Sequence, residues 1–364
     1  MEINNQSQKA GDNSTLMQAS TINNYTIIGI DENQARDICK QQCAIAIQNW
    51  SIEANKLANE RIQKLEDKVL PLLAAHDKSL QCFANPSFQI AIRKAQISAA
   101  CSEEENNIDI LADLLLHRVQ QSNNKERVLG ITKAIEIADQ VSPIAIVGLS
   151  LYYAIDRFKP ISNDIEECID AMENLYGNII GDITLPRGNE WLEHLDLLSA
   201  VRLSNFRLAL EKFKEYFPTK WNEKFPLGIK ADSDEYQTFI NEFQRVELPL
   251  CFIKNPLKDG YMIMQPTIAK DVEDICLING AFKKELNPHQ KDVMSKALER
   301  FNCSGAEDSE IQETFIKKWN ERDILRKISE WWNALGTPIF ITPLGVALTN
   351  AYIHGKDPSA PCIY

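Results

Sequence analysis

Apolar residues recur at spacings of three and four through most of this chain, the period of helices that bury one face. Ile38, Cys43, Ile47, Trp50, Ala54, Leu57, Ala58, Ile62, Leu65 and Val69 form the first such stripe. It predicts a long helix that begins after the break at Gly29, with Asp31 as N-cap and Glu32 in the first turn, and ends at Pro71. Such a stripe can pack on the body of the protein or on copies of itself; its irregular flanking charges favour the body. Between Asn85 and Phe158 four more helical segments follow, separated by Asn85-Pro86, the acidic turn 102–107, Ser122-Asn123-Asn124 and Ser142-Pro143. Helices are expected again at 163–177, 189–216 and 233–245.

Beyond Leu248 the pattern changes. Two short apolar runs flank Asn255-Pro256-Leu257-Lys258-Asp259-Gly260, which predicts a hairpin over 248–265. Helices at 266–280 and 287–301 and a loop at 302–309 are expected next. Ile311, Phe315, Trp319, Leu325, Ile328, Trp332 and Leu335 then lie on one stripe, predicting a single helix over 310–335. The run 338–341 reads as a strand, paired with the hairpin, and Thr342 and Pro343 as the N-cap and first residue of a last helix reaching Ile353. The expected fold class is mainly α: an antiparallel helical array with a short N-terminal β segment and a small C-terminal hairpin and strand, winged-helix-like at most. The expected division is 1–30, 31–245, 246–353 and a loose tail 354–364.

Residues 14–28 depart from the helical period. They are rich in Ser, Thr, Asn and Ile and contain no Pro, a composition suited to extended backbone that cannot build a core alone. A strand of this kind needs a partner, and the same segment of a second copy can supply it through stacked polar and Ile ladders. The residues expected to carry self-association are Asn13, Leu16, Gln18, Ile22, Asn23, Asn24, Tyr25 and Ile27.

Composition narrows the function classes. The chain has 364 residues, 44% of them hydrophobic and 25% charged, as in ordinary globular proteins. A formal net charge of −12 disfavours general attraction to nucleic acid or to an anionic bilayer. Nine scattered cysteines without a CxxC pair, behind an N-terminus that lacks a secretory pattern, lead us to expect a reduced, cytoplasmic protein. The runs 143–155 and 337–348 are shorter than the roughly 20 residues a membrane span needs, so stable membrane insertion is not expected.

No catalytic signature stands out. Neither GxxxxGK[ST] nor GxGxxG occurs, Gly148-Leu149-Ser150 does not complete GxSxG, and His76, His117, His194, His289 and His354 never pair at HxH or HExxH spacing. Neither a cofactor nor a metal site is expected, and Cys39 and Cys43 read as small apolar helix residues. Glu166, Asp170 and Glu173 share a helix face, and Glu103, Glu104 and Glu105 adjoin; both read as solvated faces. Lys317, Lys318, Arg322, Arg326 and Lys327 have ordinary helix-surface density, too sparse for a nucleic-acid interface.

The runs 83–100, 111–119, 125–143 and 341–353 resemble an uncharacterised family of bacterial cytosolic, mostly helical proteins, over about Asn13 to Ile353. In that family a GDNS-type strand precedes a Gly-initiated helix, and Gly11, Asp12, Asn13, Ser14, Gln18, Asn23, Asn24 and Gly29 stand in those places here. Ala19-Ser20-Thr21 replaces the glycines common there. The Thr-Pro-Leu-Gly ending is similar to that of some abortive-infection proteins. The resemblance implies a phage-defence context and no activity. The expectation is therefore a non-enzymatic homo-oligomeric scaffold or sensor whose partners are its own copies and a protein or phage component. The alternatives are an antiviral effector enzyme, a nuclease or hydrolase using scattered Asp, Glu and His, and a membrane-acting effector exposing 143–155 or 337–353.

Overall fold

A computed structural model describes residues 32–76, 81–203, 209–264, 272, 275–279 and 282–363. The chain divides into two compact units, Met1–Lys56 and Leu57–Tyr364. The first contributes the leading part of helix α1 (Glu32–His76); the second contains the rest of α1 and every other element below. The expected strand over 14–28 lies outside the described residues.

Thirteen α-helices and seven short strands are present among the described residues, a mainly α fold. Helices α2 (Pro86–Cys101), α3 (Glu105–Gln120), α4 (Lys125–Ile137) and α5 (Pro143–Arg157) follow the four predicted segments. Asn85, Asn124 and Ser142 cap three of them, each side-chain oxygen accepting from backbone N–H groups of the first turn. Next come α6 (Ile165–Ile180), α7 (Glu190–Leu197), β1 (Val201–Leu203), α8 (Phe213–Lys220), β2 (Ile229–Lys230) and α9 (Asp234–Arg245). The chain continues through β3 (Phe252–Lys254), β4 (Tyr261–Met264), β5 (Cys276–Asn279), β6 (Phe282–Glu285) and α10 (Pro288–Phe301). It closes with α11 (Ser309–Asn320), α12 (Asp323–Leu335), β7 (Ile339–Ile341) and α13 (Pro343–Lys356).

Two apolar clusters organise the second unit. The larger joins Leu65, Val69 and Leu73 of α1 to the interior faces of α2 to α8 and to α11, α12 and α13. Trp319 and Trp332 are fully buried in it, stacked or tilted against Phe213, Phe217 and Tyr152. The smaller spans Ile229 to Phe301, so it straddles the expected boundary at 245/246; α9 and α10 pack there on the sheet β2-β4-β3 through Phe243, Met264 and Phe301. Helix α13 packs against α3, α4, α5 and α6, and the run Ala347–Ile353 is buried without interruption.

Several elements differ from the sequence expectation, each for a local reason. Helix α1 continues through Pro71 to His76, because Val69 and Leu73 anchor the chain on either side of the one lost hydrogen bond. The helix expected over 189–216 ends at Leu197: Ser199 turns into positive φ, and Val201, Arg202 and Leu203 pair antiparallel with Ile341, Phe340 and Ile339. Strand β7 therefore pairs with β1, not with the hairpin. The hairpin is present as β3 and β4, with β2 on the other side of β4. Part of the expected helix 266–280 is instead β5, paired with β6. The stripe 310–335 is two helices, and the corner between them is pinned by Trp319 Nε1 donating to Leu325 O at 2.8 Å.

The closing residues also differ from a loose tail. Asp357 turns the chain by accepting from Ser359 N at 3.0 Å, and Asn350 then clasps Ile363, Nδ2 donating to its carbonyl at 2.7 Å and Oδ1 accepting from its N–H at 3.1 Å. Tyr153 Oη donates to the same carbonyl.

Thr342 and Pro343 start α13 as predicted, Thr342 Oγ1 accepting from Gly345 N at 3.2 Å. Gly345 is required there: a Cβ would lie 2.1 Å from Ala200 O, against backbone fixed by the β1–β7 pair. Gly345→Ala is expected to destabilise the protein by about 1–3 kcal/mol in urea unfolding. Gly177→Ala in α6, whose Cβ would meet only Ile324 Cδ1 at 3.6 Å, is expected to be neutral or stabilising by up to about 1 kcal/mol.

Candidate functional site

The polar cluster around Asp113 is the candidate site. Asp113 and His117 lie one turn apart on α3, whose apolar stripe turns both inward; Asp113 is 6% and His117 4% exposed. Helix α13 brings His354 to the same carboxylate, and the clasp on Ile363 brings Cys362 to the far edge of the His117 ring. Asp113 Oδ1 is 2.6 Å from His354 Nδ1, and Oδ2 is 3.0 Å from His117 Nδ1, a close approach not aligned as a hydrogen bond. Cys362 Sγ is 3.1 Å from His117 Nε2, and the two imidazole centroids are 6.1 Å apart.

One tautomer suits this arrangement. With Nε2 accepting from the Cys362 thiol, the His117 proton sits on Nδ1 and faces the carboxylate. Burial pushes the Cys362 thiol up to about 12, and the nearby Asp113 charge adds to the effect, so the thiol is neutral at physiological pH. Arg118, next in the chain, is also buried; Nη2 donates to Ser87 Oγ at 3.1 Å, and burial lowers its guanidinium below the ordinary value. The donors do not converge on one point: thiol and carboxylate meet opposite edges of the ring. Among the described residues no group of three His, Cys, Asp or Glu side chains is placed to hold a metal ion.

The other candidates are placed as follows. Asn13, Leu16, Gln18, Ile22, Asn23, Asn24, Tyr25 and Ile27 lie outside the described residues, and Cys39 and Cys43 fall in α1 where side chains are not described. Glu166, Asp170 and Glu173 are not merely solvated: Arg322 Nε donates to Glu173 Oε2 at 3.0 Å, Arg322 Nη2 meets Asp170, and Lys318 Nζ meets Glu166 Oε1 at 2.5 Å. These acids tie α6 to the corner between α11 and α12. His194 Nε2 accepts from Ser142 N at 3.3 Å, a structural contact at the start of α5. A separate groove of about 930 Å³ lies between the loop 181–188 and α12, with Arg187, Lys327 and Trp331 among the residues that line it.

His117 and His354 are too far apart in the chain for spacing to pair them, so the cluster is not predicted from sequence. Asp113 and His117 at i,i+4 were a legible signal; the contribution of α13 and the tail arises from tertiary packing alone.

A family model whose description reads “:-like” matches residues 29–348. The chain belongs to that family. The matched span runs from Gly29 into the first half of α13 and includes Asp113 and His117, while His354 and Cys362 follow it. No curated protein and no solved structure matches the chain. No helix of the described residues is long and apolar enough to cross a membrane.

Burial raises several thiols and phenols of the body, among them Cys168 to about 11, and Tyr153, Tyr352 and Cys362 to about 12, against ordinary values of 9.0 for the thiols and 10.0 for the phenols. Above pH 9 the unfolded chain releases these protons before the folded one does. Their contribution to stability is therefore fully present below pH 9 and is lost as pH rises towards 12. Urea unfolding free energies are expected to fall between about pH 8.5 and about pH 10.5, less steeply in Cys362→Ser. An unchanged free energy over that range would contradict the desolvation of these thiols and phenols.

Proposed function

We propose that the protein is a non-enzymatic homo-oligomeric scaffold or sensor of a bacterial cytoplasmic defence system. Copies assemble through Asn13, Leu16, Gln18, Ile22, Asn23, Asn24, Tyr25 and Ile27, and the helical body engages a protein or phage component. The observation that carries this reading is the apolar stripe of α1: Ile52 is 67% and Leu57 46% exposed, whereas Leu65, Val69 and Leu73 further along the same helix are buried. A helix that follows a polar, β-favouring segment and leaves apolar positions such as Ile52 and Leu57 open suits pairing with copies of itself. The acid trio of α6 supports it from another side, because salt bridges to Arg322 and Lys318 give these residues a structural role. The defence context rests on the similarity of the GDNS segment and the Thr-Pro-Leu-Gly ending.

An effector enzyme is the second reading. The Asp113 cluster favours it, since a buried carboxylate there orders imidazole groups beside a thiol.

Light scattering separates assembly from its absence. The intact protein is expected to run at a multiple of 41.3 kDa, and removal of residues 1–30 to lower that mass. Leu57→Glu, at an exposed position, is expected to weaken assembly without lowering the stability of the body. Equal monomeric masses for the intact and shortened chains would refute the proposal.

A further inference from the structure

We propose that Cys362 is an acyl-accepting thiol, with His117 as its proton acceptor and Asp113 as the positioning residue. The proposal stands apart from assembly and holds whether or not the chain forms oligomers. Thiol, imidazole and carboxylate lie in that order across the His117 ring, Sγ 3.1 Å from Nε2 and Oδ2 3.0 Å from Nδ1. That is the sequence of roles by which a neutral nucleophile is activated on demand.

Asp113 and His117 share α3, and α13 restrains both the carboxylate and the thiol. His354 Nδ1 binds the second oxygen of Asp113 at 2.6 Å, which restrains the carboxylate from turning away from His117. Asn350, buried on α13, grips both backbone groups of Ile363, so the residue before it is fixed against the ring. Cys362 lies at the surface as a residue, while its thiol is partly desolvated against the His117 ring. The desolvated thiol is not a thiolate at rest, so the step depends on a base in contact with it, and His117 Nε2 at 3.1 Å is that base.

The acyl donor is an activated ester or thioester. As the thiol proton passes to His117 Nε2, Sγ attacks the carbonyl carbon and the carbon–sulfur bond forms. The tetrahedral oxyanion then collapses, the bond to the departing alkoxide or thiolate breaks, and His117 returns the proton to that group. The products are an S-acyl cysteine and an alcohol or thiol, with no net oxidation or reduction. The imidazolium formed part-way is stabilised by the adjacent Asp113 charge.

The test is acetylation of the full chain by p-nitrophenyl acetate, followed by peptide mass mapping over time. Exposed Cys101 and Cys303 in the same molecule are the internal standards. In the wild-type protein Cys362 is expected to acetylate on the order of 100-fold faster than either. His117→Gln is expected to bring the Cys362 rate down to that of the two standards while theirs stay unchanged. Asp113→Asn is expected to lower it too, and Asp113→Glu to restore part of it, a rescue that a merely structural role would not give. Cys362 labelling no faster than Cys101 and Cys303 in the wild-type protein would overturn the proposal, independently of how any variant folds.

Discussion

The packing of α13 is the constraint on which the rest of the second unit depends. A helix placed last in most of the chain is here placed inside, with Gly345, the unbroken run Ala347–Ile353 and their neighbours covered by α3, α4, α5 and α6. Its entry is fixed by Thr342, whose N–H donates to Ala200 O at 3.0 Å, and by Gly345, which lets that carbonyl approach. Its exit delivers His354 to Asp113 and, through Asn350, holds the tail on the body. Burying apolar surface on all sides of one helix couples segments more than two hundred residues apart, such as Tyr153 and Ile363.

Much of this was legible in local chemistry. The breaks at Asn85-Pro86, Ser122-Asn123-Asn124 and Ser142-Pro143 and the cap at Thr342 fall where helices begin, and the structure makes Asn85, Asn124, Ser142 and Thr342 the N-caps. The hairpin 252–264 follows from its Asn-Pro and Asp-Gly turn chemistry. What failed did so where long-range pairing overrides periodicity. Val201-Arg202-Leu203 continues a helical stripe in sequence, yet the partner strand β7 and the turn at Ser199 decide its conformation. The split at Asn320 is hidden because both halves keep their apolar residues in phase, while the corner is held by Trp319 Nε1 on Leu325 O and by Arg322 reaching three acids on α6.

The same limit applies to the candidate site. Asp113 and His117 share a helix face by spacing alone, but nothing in the sequence joins them to His354 or to Cys362. Their meeting follows from the clasp between α13 and the chain beyond it, so the chemistry of the cluster and the stability of the fold are linked. The polar segment before α1 stands in the opposite position: its composition carries the expectation of assembly, and α1 adds an uncovered stretch at Ile52 and Leu57.

If α13 is the keystone of the body, its amides open only with those of the helices around it. Native-state hydrogen exchange of the intact protein measures this directly. The amides of Leu348 to Ile353 are expected to exchange as slowly as those of the α4 interior, with opening free energies near that of global unfolding. Exchange of the α13 amides through a separate, low-energy opening, while α4 stays protected, would contradict the account.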